Sequence, residues 1–230
     1  MIIIGHKGSS GVEPENTLEA ITRATKEADM VEIDVRLTED GKLAVIHDAH
    51  LNRTTGTRGL VSEETMKELK ELNAGEGEQI PTLEEAIEAV NRRVPLLIEM
   101  KSLGSAEPLK NIIDSYIAKG WRNDDFIVCS FEHDELRRFA EICPNIKIGV
   151  LEVPLGSAEY ASDLNAYSVN IDFEGATSEF IEDAHSRGLK VFVWTVDNPK
   201  MLLELKERGA DGVITDFPEM ARRVLTNKPI

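Results

Sequence analysis

Short β-rich runs alternate with amphipathic helical patterns from one end of this chain to the other, which restricts it to parallel α/β architectures. The β-rich runs lie near residues 2–5, 30–36, 43–47, 95–100, 126–130, 146–151, 167–171, 190–195 and 212–215. Helical patterns fall near 17–28, 82–91, 106–119, 132–142, 157–163, 177–187, 199–208 and 218–226. Start signals mark several of them: Thr82 with Glu85 makes a capping box, and Pro218 suits a first helical turn. Nine strands do not fit an eight-fold barrel until the second and third are compared. Only LTEDGK, residues 37–42, separates them. A parallel crossover needs about a dozen residues, so this pair must be an antiparallel hairpin turning at Asp40-Gly41. Setting its return arm aside leaves eight strands alternating with helices. The expected fold is a (β/α)8 TIM barrel of about 250 residues, close to the 230 available, as a single domain over 1–230. Residues 48–80 form a small insertion after the hairpin extension of strand 2, with a helix expected near 62–71. At the top of a barrel such an insertion lies beside the active site.

Composition removes several classes of function. Forty-two acidic residues against 26 basic ones give a net charge of −16, a surface that repels nucleic acid and anionic membranes. No run approaches the roughly 18 apolar residues of a membrane span. The N-terminal MIIIGHKGSS reads as a first strand rather than a signal peptide, so a cytoplasmic protein without a stable membrane anchor is expected. Cys129 and Cys143 form no C-x-x-C motif and are expected as buried thiols. A homo-oligomer is compatible with the sequence.

Glu32 and Asp34 stand at i and i+2 on one strand and share a face, with Val31, Ile33 and Val35 on the other. Two carboxylates on a buried face are costly unless paired or metal-bound, and hard oxygen ligands suit Mg2+ or Ca2+, with Mn2+ also accommodated. Taken alone, the pair also fits a solvated strand end or an ion pair. If the hairpin turn centres on Glu39 and Asp40, residue 36 faces 43 and residue 32 faces 47, which sets His47 opposite Glu32. Glu99 and Lys101 repeat the i, i+2 spacing at the C-terminal end of PLLIEMK, the end from which barrel enzymes draw their chemistry. His6 closes the first strand.

The ordering of these motifs resembles the glycerophosphodiester phosphodiesterase family over most of the chain. The carrying residues are His6-Lys7-Gly8, Pro14-Glu15-Asn16-Thr17, Glu32-Ile33-Asp34-Val35 and Thr38-Glu39-Asp40-Gly41. They continue as His47-Asp48, Arg53-Thr54-Thr55, Glu99-Met100-Lys101 and Trp194-Thr195-Val196. The resemblance implies His6 and His47 as general acid and base, and Glu32, Asp34 and Glu99 as ligands of a divalent metal. It also implies that Lys101 contacts phosphate and that a small-molecule glycerophosphodiester is hydrolysed to sn-glycerol 3-phosphate and an alcohol. Lys7 stands where the family has arginine; it keeps the charge and loses the planar fork that grips phosphate. Lys7 and Trp194 complete the expected substrate contacts. Asp48 is a candidate to orient His47, and Arg53 a candidate to brace the insertion. Water and the substrate's own 2-hydroxyl stay open as nucleophiles. The competing readings are a phospholipase D-like or C-like hydrolase of lysophospholipids and a catalytically silent phosphodiester-binding protein.

Overall fold

A computed structural model of the protein describes residues 1–152 and 157–226. Its strands are β1 (Ile2–Gly5), β2 (Met30–Leu37), β3 (Leu43–Val45), β4 (Leu96–Met100), β5 (Phe126–Ser130), β6 (Lys147–Glu152), β7 (Ser168–Asp172), β8 (Lys190–Trp194) and β9 (Gly212–Thr215). They run in the order β1-β9-β8-β7-β6-β5-β4-β2, all parallel, and a β1–β2 pairing closes the ring. This is the eight-stranded (β/α)8 barrel, with β3 as one extra antiparallel strand on β2. Around it lie α1 (Leu18–Glu27), α4 (Leu83–Val90), α5 (Ala106–Ala118), α6 (His133–Ile142), α7 (Ser157–Asp163), α8 (Ser178–Ser186), α9 (Pro199–Arg208) and α10 (Pro218–Leu225). Two one-turn helices, α2 (Asn52–Thr55) and α3 (Met66–Leu69), fall within the segment after β3.

Alternation along each strand sorts side chains into two cores. Val31, Ile33 and Val35 of β2 face outward and join the layer between sheet and helices, with Ile21, Leu83 and Ile87. The opposite face turns into the barrel, where Ile4, Met30, Leu97, Ile127, Cys129, Leu151, Phe192 and Ile214 fill the axis. Large and small side chains interlock there. A Cβ on Gly149 would lie 2.7 Å from Ser168 Oγ, and one on Gly212 would lie 2.9 Å from the Phe192 ring. The helices dock through the faces that their sequences make apolar, and caps fix where they begin. In α4, Glu85 N donates to Thr82 Oγ1 at 3.1 Å while Thr82 N donates to Glu85 Oε2 at 2.8 Å, the reciprocal pair expected from sequence. Cys129 and Cys143 are free and buried.

The hairpin departs from the expected register. The observed partners are Val35↔Val45, Arg36↔Ala44 and Leu37↔Leu43, one residue away from the 36-to-43 pairing. Thr38 N donates to Lys42 O at 2.9 Å, so three residues, Glu39, Asp40 and Gly41, form the loop instead of two. Gly41 takes φ 72°, the left-handed residue that closes a three-residue hairpin loop. The slip sends Leu43 and Val45 into the outer layer with Val35 and leaves Ala44 and Ile46 on the face that Arg36 and Asp34 share. Ala44 and Ile46 pack with Leu51, Val61, Met66, Leu69, Ala74 and Ile80 in a satellite core that holds residues 48–80 against β3. The helix expected near 62–71 is broken into a 3-10 turn at Val61–Glu63 and α3, with Thr65 restarting it through its own capping box.

Candidate active site

Strand β2 is the longest of the barrel, and its length builds the site. Its first residues pair with β1, at Ile4↔Met30 and Gly5↔Val31. Beyond the end of β1 the same edge is free, and β3 occupies it. The chain leaving β3 therefore descends toward the C-terminal end of β1, where His6 begins the next loop. Ile46 N still donates to Asp34 O at 3.0 Å, after which the ladder stops. His47 thus lines the same cavity as His6 and Glu32, not as a ladder partner of Glu32 but as the first residue free of the ladder. Arg36 fixes it there: Nε donates to His47 O at 2.6 Å and Nη1 to Lys101 O at 2.9 Å, clamping the ends of β3 and β4 together.

Glu32, Asp34 and Glu99 project into the barrel mouth at 3%, 1% and 8% exposure. One oxygen from each lies within 4.8 Å of the others. Backbone and amide donors hold two of them in place. Lys7 N donates to Glu32 Oε2 at 2.7 Å, and Asn16 Nδ2 donates to Asp34 Oδ2 at 2.9 Å. Both donors come from the β1–α1 loop, whose residues Lys7, Gly8 and Asn16 all have left-handed backbone, with φ of 51°, 86° and 59°. Burial pushes Glu32 and Glu99 well above the usual carboxylate range, and the negative charge of Asp34 adds to both shifts. For Asp34, burial is outweighed by Lys101, His47 and Asn16, and its pKa is lowered. Lys101 Nζ lies 2.6 Å from Glu99 Oε1 and 3.5 Å from Asp34 Oδ1. Asp34 Oδ1 is buried with no hydrogen-bond partner among the described residues. Three buried oxygen donors in mutual reach, one of them unspent, fit a hard divalent cation.

Each histidine has its own carboxylate. His6 Nδ1 lies 2.6 Å from Asp216 Oδ1, and His47 Nδ1 lies 2.7 Å from Asp48 Oδ1. A carboxylate accepts, so Nδ1 carries the proton in each ring and Nε2 is left for chemistry. The two carboxylates are backed differently. Arg53 grips Asp48 through Nε and Nη2 and also makes two bonds to Glu15, which ties the segment after β3 to the β1–α1 loop. Behind Asp216 stand Ser10 and a second carboxylate, Asp197, which accepts from Asp216 N and Thr215 Oγ1, both at 2.8 Å. Burial lowers the pKa of His47, outweighing Asp34 and Asp48. At His6 burial also opposes protonation, but the Asp216 bond and the charge of Glu32 overcome it and the pKa is raised.

The cavity between these groups has a volume of about 210 Å³. Leu97, Cys129, Leu151 and Ile214 form its floor, and Trp194 and Phe131 stand on one wall with ring centroids 5.8 Å apart at 82°. Seven of the eight residues expected at the site line this cavity, and the eighth, Asp34, joins Glu32 and Glu99 in the carboxylate cluster. His50, His133 and His185 lie outside it; His185 pairs with Asp211 at 2.8 Å. Sequence reasoning missed Asp216, Arg36 and the amide of Asn16. A carboxylate at the C-terminal end of β9 was the available sign of Asp216, since it repeats the placement of Glu99 on β4.

Comparison with known proteins gives this arrangement a context. Residues 6–220 match the model of the glycerophosphoryl diester phosphodiesterase family. The chain is 37% identical, over 95% of both chains, to the glycerophosphodiester phosphodiesterase of Caldanaerobacter subterraneus subsp. tengcongensis. Its fold matches an Oleispira antarctica phosphodiesterase solved with the product sn-glycerol 3-phosphate, with TM-score 0.90, 30% identity and coverage of 98% of this chain and 97% of that one. It also matches the Thermotoga maritima glycerophosphodiester phosphodiesterase, with TM-score 0.82, 31% identity and coverage of 97% and 98%.

Proposed function

This chain belongs to the glycerophosphoryl diester phosphodiesterase family, and from that premise we propose that it hydrolyses glycerophosphodiesters to sn-glycerol 3-phosphate and an alcohol at the mouth of the barrel. The observation that carries the reading is the meeting of a buried three-carboxylate cluster with two histidines, each oriented by its own carboxylate, in one cavity. Glu32, Asp34 and Glu99 are the residues that would hold a divalent cation, Mg2+, Ca2+ or Mn2+, and when bound it supplies Lewis-acid neutralisation of the phosphate charge.

The remaining chemistry belongs to the chain. Lys101 and Lys7 offer ammonium groups to the phosphate oxygens. Lys101, now bonded to Glu99, would exchange that bond for one to a phosphate oxygen. His47, whose pKa burial lowers, is suited to take a proton at Nε2 from the attacking hydroxyl or water. His6, whose pKa is raised by Asp216, is suited to hold a proton at Nε2 for the leaving alcohol. Trp194 and Phe131 line the cavity in edge-to-face contact.

The reading is tested by product identity. Purified protein with Mg2+ is given glycerophosphocholine and glycerophosphoethanolamine, and phosphorus NMR follows the products. Appearance of sn-glycerol 3-phosphate is expected. Phosphocholine and free glycerol would place the cleavage on the other ester bond and overturn the reading. No product from either diester would leave the chain without this activity.

A further inference from the structure

We propose that Asn170 is a recognition residue for the polyol end of the substrate, its side-chain amide making a hydrogen bond to a glycerol hydroxyl at the floor of the cavity. The inference rests on the reading above and adds the group that reads the uncharged end of the ligand.

Asn170 lies on β7, across the barrel from the carboxylate cluster, and lines the same cavity. It is 0% exposed. Its Oδ1 accepts from Ser168 Oγ at 2.9 Å, but its Nδ2 has no partner among the described residues. A buried amide left with a free donor has lost its water without gaining a replacement bond, which destabilises the fold. Such groups in native proteins are explained by a bound water, an ion or a ligand. Gly149 on the adjacent strand leaves room for the amide itself, since a Cβ there would sit 3.2 Å from Nδ2. The indole Nε1 of Trp194, one strand further on, is likewise buried without a partner among the described residues. The two unspent donors therefore line one cavity from neighbouring strands.

The surroundings decide which part of a ligand they meet. The cations of the site, Lys7 and Lys101, lie on the β1 and β4 side with the carboxylates, so the phosphate belongs there. The floor beside Asn170 is Leu97, Cys129, Leu151 and Ile214, which offers nothing to a charged or bulky group. A small hydroxylated chain fits it. Reversing the amide does not alter the conclusion, because Ser168 can accept as well as donate and one amide hydrogen bond is still unmade. A hydroxyl both donates and accepts and satisfies either orientation, which a phosphate oxygen cannot. The glycerol, common to every substrate of this reaction, takes the enclosed floor, and the alcohol that differs among them takes the open mouth.

The test uses equilibrium binding, which does not depend on turnover. Full-length protein with Mg2+ is titrated calorimetrically with sn-glycerol 3-phosphate and with n-propyl phosphate, which has the same phosphate and no hydroxyls. Wild type is expected to prefer sn-glycerol 3-phosphate. Asn170→Leu, which keeps the volume and suits the apolar floor, is expected to weaken sn-glycerol 3-phosphate about tenfold while changing n-propyl phosphate less than about twofold. Asn170→Ala and Trp194→Phe serve as further variants should the leucine disturb folding, as read by thermal melting. Equal weakening of both ligands, an unchanged preference in every folded variant, or no preference in wild type would overturn the assignment. Hydroxyl-dependent binding lost in Asn170→Leu, in a protein that cleaves no diester, would keep the floor assignment and remove the catalytic reading. Diester cleavage with unchanged binding in Asn170→Leu would do the reverse.

Discussion

The two histidines have the same type of partner, yet burial lowers the pKa of His47 while the Asp216 bond and the charge of Glu32 raise that of His6, and the proposed base and acid roles rest on this difference. Asp48 is locked by the guanidinium of Arg53, whereas Asp216 shares its surroundings with Asp197. Replacing His6 or His47 with alanine is expected to lower kcat roughly 10²–10⁴-fold without unfolding the protein, as steady-state kinetics beside circular dichroism will show. The partner carboxylate gives a finer test. An acid must be protonated to work, so activity falls as pH rises through the pKa of His6. Asp216→Asn removes the charge that raises this pKa, and the alkaline limb of the pH–rate profile is expected to move to lower pH. A limb that stays in place while kcat falls would give Asp216 a purely structural task. The histidines and the three carboxylates were legible in the sequence because each sits on or beside a strand in a dense local motif. Asp216 was not, because its partner is 210 positions away and only the closure of β9 onto β1 brings them together.

Among the elements, the β2–β3 hairpin shows where pattern reading stops. The strands, their antiparallel sense and the turn chemistry at Asp40-Gly41 all follow from spacing and residue type. The register does not, because two-residue and three-residue loops both accept Asp-Gly, and one residue reverses every side chain of the return arm. His47 still reaches the cavity, since β3 ends before the slip carries that far and Arg36 holds the carbonyl of His47. The eight barrel strands and their helices were legible because period and length distinguish them; α2 was not, since a single turn shows no repeating pattern, and α3 was anticipated only as part of a longer helix near 62–71. Two glycines with similar backbone illustrate how packing, not φ alone, sets the cost of a side chain. Gly41, at φ 72°, has open space around it, and Gly41→Ala is expected to cost about 1 kcal/mol of strain. Gly8, at φ 86°, would set a Cβ 2.5 Å from the backbone of Ala20 in α1. Gly8→Ala is expected to cost several times more and to displace Lys7 and the bond it gives Glu32. Urea denaturation of the two variants will rank them, and equal costs would contradict this account of the loop.

At the scale of the whole molecule, the barrel keeps an expensive cluster of like charge at one end and a filled apolar axis beneath it. That has a measurable consequence for stability. Glu32 is pushed up to about 8 and Glu99 to about 7, against ordinary values of 4.5. Between the ordinary and raised values the folded protein holds protons that the unfolded chain has released, so folding weakens as pH rises. With chelator present, the melting temperature is expected to fall between pH 6 and pH 8.5, and Mg2+ to restore more of it at the higher pH. A chelated protein equally stable across that range would mean that the cluster is not strained by its own charge. The central claim is that this cluster and the two histidines are one catalytic unit, and it is tested most directly by sn-glycerol 3-phosphate release from glycerophosphocholine. The release is followed across Mg2+ concentrations and in chelator, for wild type, Glu32→Gln and His6→Ala. The account predicts saturable metal-dependent release in wild type, a large loss in Glu32→Gln, and a loss in His6→Ala that no Mg2+ concentration rescues. Release that persists in chelator, or that survives in Glu32→Gln, would contradict it.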